Sequence, residues 1–169
     1  MLLEREEVSP DEPDNNDQTP LSHAAQDGSE EAVRILLGWD EVSPDEPDYY
    51  GQTPLSHAAF YGRGGAVKIL LESADVNPNW PDDAGRTPLS HAAENKYGRY
   101  YQGIDGEVVK ILLGRREVNP DMPDNHGRTL LSYAAGRGNG KAVKILLERE
   151  EVNPNALDKD GRTPFMWTP

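Results

Sequence analysis

Short apolar clusters recur along this chain at a nearly constant spacing, and polar, proline-rich segments separate them. The heptapeptide TPLSHAA, or a variant of it, begins at Thr19, Thr53, Thr87, Thr129 and Thr163. Successive copies start 34, 34, 42 and 34 residues apart. A second apolar segment of the form AVKILL follows at Ala32, Ala66, Val108 and Ala142. Self-similarity at this period predicts a solenoid, in which each unit buries its apolar face against its neighbours.

The heptapeptide predicts the first of two short helices in each repeat. Its Thr-Pro pair is typical of a helix start, because the threonine hydroxyl can accept from free amides. Proline at the first helical position also leaves no amide unpaired. Gly28, Gly62 and Gly138 are expected to end this helix in the left-handed conformation that glycine tolerates.

Apolar residues at helical spacing predict the second helix. Its N-cap positions carry Ser29, Asp105 and Asn139 in three of the units. Unit two has Arg63 there instead, followed by Gly64 and Gly65. Each of these glycines is expected to cost about 1 kcal/mol relative to alanine, which makes this the weakest copy.

Segments such as VSPDEPDYYGQ connect each second helix to the next Thr-Pro. They contain too much proline for a helix, and their Asp and Gly residues favour tight turns, so we predict extended loops or irregular hairpins. The repeat predicts one array over 1–169, with four helix pairs and a partial unit at each end. The full units span about 8–41, 42–75, 76–117 and 118–151, and the partial ones 1–7 and 152–169. Unit three carries an insertion near 96–105 whose Tyr97, Tyr100 and Tyr101 are a possible second contact or a loosely packed loop.

The pattern D-x-x-G-x-T-P-L-x-x-A-A followed by V-K-I-L-L resembles the ankyrin repeat over nearly the whole chain. The resemblance implies an all-α solenoid of stacked helix-turn-helix units with extended, hairpin-like loops. One departure is the serine where the family usually has a histidine after Thr-Pro-Leu, so the hydrogen bonding of that histidine is lost or rerouted. This variant is similar to long ankyrin arrays of fungal proteins, many of which follow a nucleotide-binding module. Because neither end has a polar cap, we expect a fragment of a longer array or an array that ends against something else. The chain itself is expected to be a monomer or part of a longer chain.

Composition narrows the function classes. The 169 residues carry a net charge of −13 and no cysteine, which argues against nucleic acid as a partner and against a thiolate metal site or thiol nucleophile. Residues 1–56 hold 15 acidic residues but only two basic ones, so the excess negative charge lies in this third. No apolar run is long enough to span a membrane, and the N-terminus lacks a signal peptide. We therefore predict an intracellular, cytoplasmic protein, with a nuclear location left open.

Three features invite a catalytic or metal-binding interpretation. His23, His57 and His91 recur at one repeat position, but stacked helices lie too far apart for them to share a zinc ion, which favours packing between helices. The acidic clusters near Asp11 and Asp45 lack the glycine and glutamate of an EF-hand, which favours turn-forming aspartates. Ser and His are adjacent in each heptapeptide and so do not face each other on a helix. We predict no enzymatic activity, no cofactor and no metal.

The resemblance implies that a protein partner contacts the loop tips and the first helices on the concave side. Unit two is unusual there, because it carries four aromatic residues that the repeat does not need for its core, and such residues dominate binding hot spots. The predicted contact residues are Tyr49, Tyr50, Gln52, Phe60, Tyr61, Trp80, Arg86, Met122, His126 and Arg128. Together with the acidic first third, they predict a partner with an apolar anchor flanked by basic residues.

We therefore predict a non-catalytic protein-interaction scaffold. The alternative is a regulatory or ligand-sensing segment of a larger signalling protein. A nucleotide-binding module upstream in the same reading frame would favour that alternative.

Overall fold

The computed structural model describes residues 9–94 and 106–168. Among these residues it contains eight short α-helices, a final 3-10 helix and no strand, which confirms the all-α repeat fold. The elements are α1 (Pro20–Asp27), α2 (Glu30–Leu37), α3 (Pro54–Phe60), α4 (Gly64–Leu70), α5 (Pro88–Glu94), α6 (Glu107–Leu113), α7 (Leu130–Gly136), α8 (Gly140–Leu147) and the 3-10 helix Pro164–Trp167. We number the four helix pairs, each with the loop before it, as units one to four, and the 3-10 helix with its loop as unit five.

The first helices α1, α3 and α5 begin as the sequence predicts, whereas Thr129 makes no side-chain cap bond to α7. The Thr19 hydroxyl accepts from the Ser22 amide at 3.2 Å, and Thr53 caps α3 in the same way. The serine that replaces the usual histidine lies close to this cap, with Ser22 Oγ 3.3 Å from Thr19 Oγ1. Gly28 ends α1 at φ 78°, in the left-handed region that glycine occupies without strain.

The second helices begin less uniformly. Asn139 caps α8 by accepting from the Ala142 amide at 3.0 Å, as predicted. Ser29 stands at the N-cap of α2 but makes no cap bond through its side chain, and Arg63 gives none to α4. Asp105, predicted to cap the second helix of unit three, lies outside the described residues, as do Tyr97, Tyr100 and Tyr101.

The core lies between two layers of helices. Each first helix packs against the next first helix along α1, α3, α5 and α7, and α4 packs against both α2 and α6. Alanines on the first helices allow this close approach, and the core leucines are almost completely buried. They are Leu21, Leu55, Leu89 and Leu131.

The loop tips are joined by backbone hydrogen bonds, which continue the stack outside the helices. The Tyr49 amide donates to Asn16 O at 3.0 Å, and the Asp83 amide donates to Tyr50 O at 3.1 Å. Gly51 at the tip has φ 76°, and a Cβ atom there would lie 2.9 Å from the Asp83 amide nitrogen. Glycine is therefore required both by the turn and by the neighbouring tip.

Within 9–94 and 106–168, the structure has no helix of the length and apolar character needed to cross a membrane.

Candidate functional site

An aspartate at the start of each loop tip organises the surface next to the first helices. These five aspartates are Asp14, Asp48, Asp82, Asp124 and Asp158. In unit two, Asp48 Oδ1 accepts from the amides of Tyr50 and Gln52, both at 2.9 Å. The carboxylate thus closes its own turn, which is the role predicted for these aspartates.

The other carboxylate oxygen faces a side chain nine residues later, on the first helix of the same unit. His57 Nε2 lies 3.0 Å from Asp48 Oδ2, and His91 Nε2 lies 3.1 Å from Asp82 Oδ2. The same position carries Tyr133 in unit four, whose hydroxyl donates to Asp124 at 2.6 Å, and Trp167 in unit five. His57 and His91 are therefore buried and also bonded to a carboxylate, a contact that the packing interpretation did not include. His23, in unit one, is exposed.

From unit three onward an arginine adds a further bond to the same carboxylate. Arg86 Nε donates to Asp82 Oδ2 at 2.9 Å, and Arg128 and Arg162 make the equivalent bond at 2.9 Å. Burial by itself would raise the pKa of Asp82, but the hydrogen bonds from His91 and Arg86 lower it to about 2. The carboxylate therefore remains charged, and it holds the guanidinium in place.

Units one and two carry glutamine where the later units carry arginine. Gln18 Nε2 lies 3.1 Å from His57 Nε2, so this amide reaches from one unit to the next. Burial lowers the pKa of His57, although Asp48 acts in the opposite direction. The ring of His57 is thus buried, and the Asp48 carboxylate is paired with this titratable group instead of with an arginine.

A groove of about 550 Å³ runs between the loop tips and the first helices of units one to three. We call it the tip groove. It is lined by Asn16, Gln18, Gln26, Asp48, Tyr50, Gln52, His57, Phe60, Tyr61, Arg86, His91 and Glu94. Five predicted contact residues lie in it together, namely Tyr50, Gln52, Phe60, Tyr61 and Arg86.

Aromatic rings form one part of the groove wall. Phe60 and Tyr61, at the end of α3, pack edge to face with ring centroids 5.2 Å apart. Phe60 also meets the His91 ring edge to face at 6.0 Å, which connects the aromatic pair to unit three. Tyr50 stands on the loop tip with 63% of its surface exposed. Its backbone is fixed by Asp48 and by the next tip, so the ring is presented on an ordered turn.

A charged chain forms another part of the wall. Arg86 Nη1 donates to Glu94 at 3.3 Å while its Nε holds Asp82. Arg137 of unit four also donates to Glu94. The guanidinium of Arg86, one of the predicted contact residues, is therefore already paired within the protein.

A family model of ankyrin repeats matches residues 1–82 and 99–168 of this chain, in three copies. The chain belongs to the ankyrin repeat family. A search of curated proteins found no match. Ankyrin repeats generally mediate protein–protein interactions, and the family is typically non-catalytic. The tip groove lies where the resemblance places partner contacts in ankyrin proteins, at the loop tips and first helices.

The other five predicted contact residues of this ankyrin array lie outside the tip groove. Tyr49 packs edge to face against Tyr50, with ring centroids 5.3 Å apart, and points to solvent. Trp80 and Met122 lie in the loops of units three and four, and His126 is an exposed tip residue. Arg128 is tied to Asp124 and lies over the Tyr133 ring. The structure does not join these residues to the groove.

The predicted contact residues did not include Asp48, His57, His91 and Glu94, which also line the tip groove. The signal that could have identified the first three is the constant nine-residue spacing between the loop aspartate and the residue after Thr-Pro-Leu-Ser in each ankyrin unit. The signal for Glu94 is its position directly after Ala-Ala, which is the position that Phe60 has in unit two. Its contacts with Arg86 and Arg137 form only in the folded chain.

The acidic clusters of the loops have structural roles. Asp11 accepts from the Ser43 amide at 3.0 Å, and Asp45 accepts from the Asn77 amide at 2.6 Å, so each links its unit to the next. In the described part of the chain, no three His, Asp or Glu side chains are grouped so that they could hold a metal ion.

Proposed function

We propose that this ankyrin array is a non-catalytic protein-interaction module, and that the tip groove binds a segment with an apolar anchor flanked by Lys or Arg. The observation that carries the proposal is the grouping of Tyr50, Phe60 and Tyr61 around one groove on ordered elements. The repeat core does not require these rings, since units one, three and four have other residues at these positions.

Aromatic side chains suit this role because they bury much apolar surface at a low cost in conformational entropy. Tyr50 and Tyr61 come from different elements, the loop tip and the end of α3. An apolar side chain inserted between them would be covered from two directions. The amides of Gln18, Gln26 and Gln52 lie beside the rings and can both donate to and accept from the main chain of an extended segment.

The charge around the groove favours a basic flank. Residues 1–56 carry the net charge of −13, and their loops place Asp14, Asp17 and Glu46 at the exposed surface. Exposed charges of this kind act mainly on the rate of association and on its salt dependence.

Selection of a random peptide library on the purified protein tests the proposal, followed by calorimetry of the selected peptides. We expect Tyr61→Ala or Tyr50→Ala to weaken binding by about 30-fold, which corresponds to about 2 kcal/mol at a hot spot. The matched control is Trp80→Ala, which removes an exposed ring outside the groove and should leave the affinity unchanged.

The dependence of affinity on salt concentration distinguishes the apolar anchor from the basic flank. The tyrosine variants should lose affinity at any ionic strength, whereas Asp17→Asn combined with Glu46→Gln should matter chiefly at low salt. Peptides that bind both tyrosine variants and the double acidic variant as tightly as the wild type would show that partners use another surface.

A further inference from the structure

In units three to five, an arginine of the chain itself has a fixed place beside the loop aspartate. Arg86, Arg128 and Arg162 each stand four residues after their aspartate, and each Nε atom donates to the aspartate Oδ2 at 2.9 Å. In unit three the same oxygen also lies 3.1 Å from His91 Nε2. Asp82 Oδ2 is thus bonded to a guanidinium and to an imidazole together.

Unit two has the same carboxylate and the same imidazole but no arginine. His57 Nε2 lies 3.0 Å from Asp48 Oδ2, and Gln52 has the repeat position of Arg86. Among the residues that the structure describes, His57 provides the only hydrogen bond to this oxygen, and the Asp48 side chain is 4% exposed. A buried carboxylate gains from a second, charged donor. We call the place beside Asp48 Oδ2, where Gln52 replaces the arginine, the unit-two cation position.

The tip groove connects this position with the protein surface. Asp48, His57, Gln18 and Gln52 all line the groove, which at about 550 Å³ has room for an arginine side chain. The two glutamine side chains can accept from a guanidinium through their Oε1 atoms. A cation that enters the groove therefore meets one buried carboxylate and two amide acceptors.

In the later units the bound guanidinium also lies over an aromatic ring. The Cζ atom of Arg128 is 4.9 Å from the ring centroid of Tyr133, and that of Arg162 is 4.0 Å from the ring centroid of Trp167. Such stacking stabilises a cation further. In unit two, the aromatic pair at the end of α3 lines the same groove as Asp48. Unit two therefore has the carboxylate and the rings of an arginine site, but not the arginine.

We infer that unit two binds an arginine side chain of the partner protein, whose guanidinium donates to Asp48 Oδ2 as Arg86 donates to Asp82 in unit three. The inference rests on the proposed function of the tip groove and names arginine as the basic residue of the bound segment. Arginine suits the position better than lysine, because a planar guanidinium can donate to a carboxylate and lie flat against a ring at the same time.

The probe is the peptide acetyl-Leu-Arg-Leu-amide, with two analogues that carry citrulline or lysine in place of arginine. Citrulline keeps the shape of arginine but has no charge. In NMR titrations of the purified protein, we expect saturable binding of the arginine peptide in the millimolar range, with shifts of the side-chain amide signals of Gln18 and Gln52. The citrulline peptide should bind about tenfold more weakly, and the lysine peptide should have an intermediate affinity.

The variant Gln52→Arg fills the unit-two cation position from within. It should weaken binding of the arginine peptide by about tenfold, because the new side chain can make the bond that Arg86 makes in unit three. It should also raise the urea midpoint, so that unfolding cannot explain the lost affinity. The matched control is Asn15→Arg, which adds the same charge at an exposed tip residue outside the groove and should change the Kd by less than about twofold.

Three results would overturn the inference. They are the absence of saturable binding by the arginine peptide, equal affinity for the arginine and citrulline peptides, and an affinity that Gln52→Arg leaves unchanged or lowers no more than Asn15→Arg does. The library peptides test the proposed function separately. If they lose affinity for Tyr61→Ala but do not depend on arginine, only this inference is wrong, whereas peptides that do not depend on Tyr50 or Tyr61 contradict both.

Discussion

Units two and three contain the same heptapeptide TPLSHAA, and their first helices bury the same positions, yet they hold their loop aspartates differently. Asp82 of unit three accepts from both His91 and Arg86, and Arg86 continues to Glu94. Asp48 of unit two faces His57, and Gln52 has the position of the arginine. Gln52 in place of an arginine leaves the Asp48 carboxylate without the second charged partner that Asp82 has.

The comparison shows how a repeat can separate stability from recognition. An arginine at this position fixes the carboxylate permanently, because the guanidinium stays charged at any physiological pH. A glutamine leaves a neutral amide beside the groove, and unit two places its additional aromatic rings there. Units one and two, whose loop aspartates have no arginine partner, supply most of the residues that line the tip groove.

Removing the loop aspartate of unit three should have the largest effect on the free energy of unfolding. Asp82→Ala should lower the free energy of unfolding by about 3 kcal/mol, because it leaves buried His91 and two turn amides without their acceptor. Asp14→Ala is the matched control in unit one: its carboxylate is 38% exposed against 1% for Asp82, and we expect a much smaller loss of stability. Urea unfolding measures both losses. Equal losses would mean that the stability contributed by a loop aspartate does not depend on its burial.

Exchanging the residues at the fourth position after the aspartate tests the comparison directly. Arg86→Gln gives unit three the glutamine of unit two and should cost about 1–2 kcal/mol, the usual worth of a hydrogen bond to a charged group. Gln52→Arg should stabilise unit two by a smaller amount. If both exchanges shift the urea midpoint in the same direction, the arginine bond to the loop aspartate is not the cause of the difference between the two units.

A second loop position also distinguishes the two units. Asn79 of unit three accepts from the Asn119 amide at 2.9 Å and donates to Glu117 O at 2.6 Å. Asp45 of unit two accepts from Asn77, but its buried Oδ1 has no hydrogen-bond partner among the described residues. Asp45→Asn should therefore raise the free energy of unfolding at pH 7 by about 1 kcal/mol, whereas Asn79→Asp should lower it.

The pH dependence of this gain provides its control. Burial raises the pKa of Asp45, against the bond from Asn77. Protonated Asp45 therefore stabilises the folded chain. This contribution is fully present at a pH below the ordinary pKa of aspartate and is lost as the pH rises through the raised pKa. The advantage of Asp45→Asn should shrink in acid. A gain that is constant with pH would point to a cause other than the carboxylate.

Titration of His57 should have the smallest of these effects on the free energy of unfolding. Burial lowers its pKa below the usual value of 6.5, so the unfolded chain binds a proton at a higher pH than the folded chain does. The stability it contributes is fully present above pH 6.5 and falls as the pH drops toward the lowered pKa. His57→Tyr, which gives unit two the residue that unit four has at Tyr133, should reduce the loss of stability between pH 7 and 5. Identical pH profiles for the variant and the wild type would show that the titration of His57 does not contribute to the loss of stability in acid.

Much of the architecture could be predicted from the sequence, because its determinants are local. The Thr-Pro pair, the left-handed glycine and the AVKILL segment each act within one turn of helix, and their repetition predicted the stack before any contact was known. The same reasoning selected Tyr50, Phe60 and Tyr61, since residues that a repeat does not need for its core stand out when its copies are aligned.

The tertiary structure decided what these residues contact. Asp48 and His57 lie nine residues apart, and Glu94 meets Arg86 and Arg137 from two units, so only the folded chain brings them together. Folding also divided the ten predicted contact residues into those that line the tip groove and those that lie outside it. Periodicity records which positions are equivalent, but burial, pairing and exposure depend on the neighbour that each position meets, and that neighbour comes from another unit of the stack.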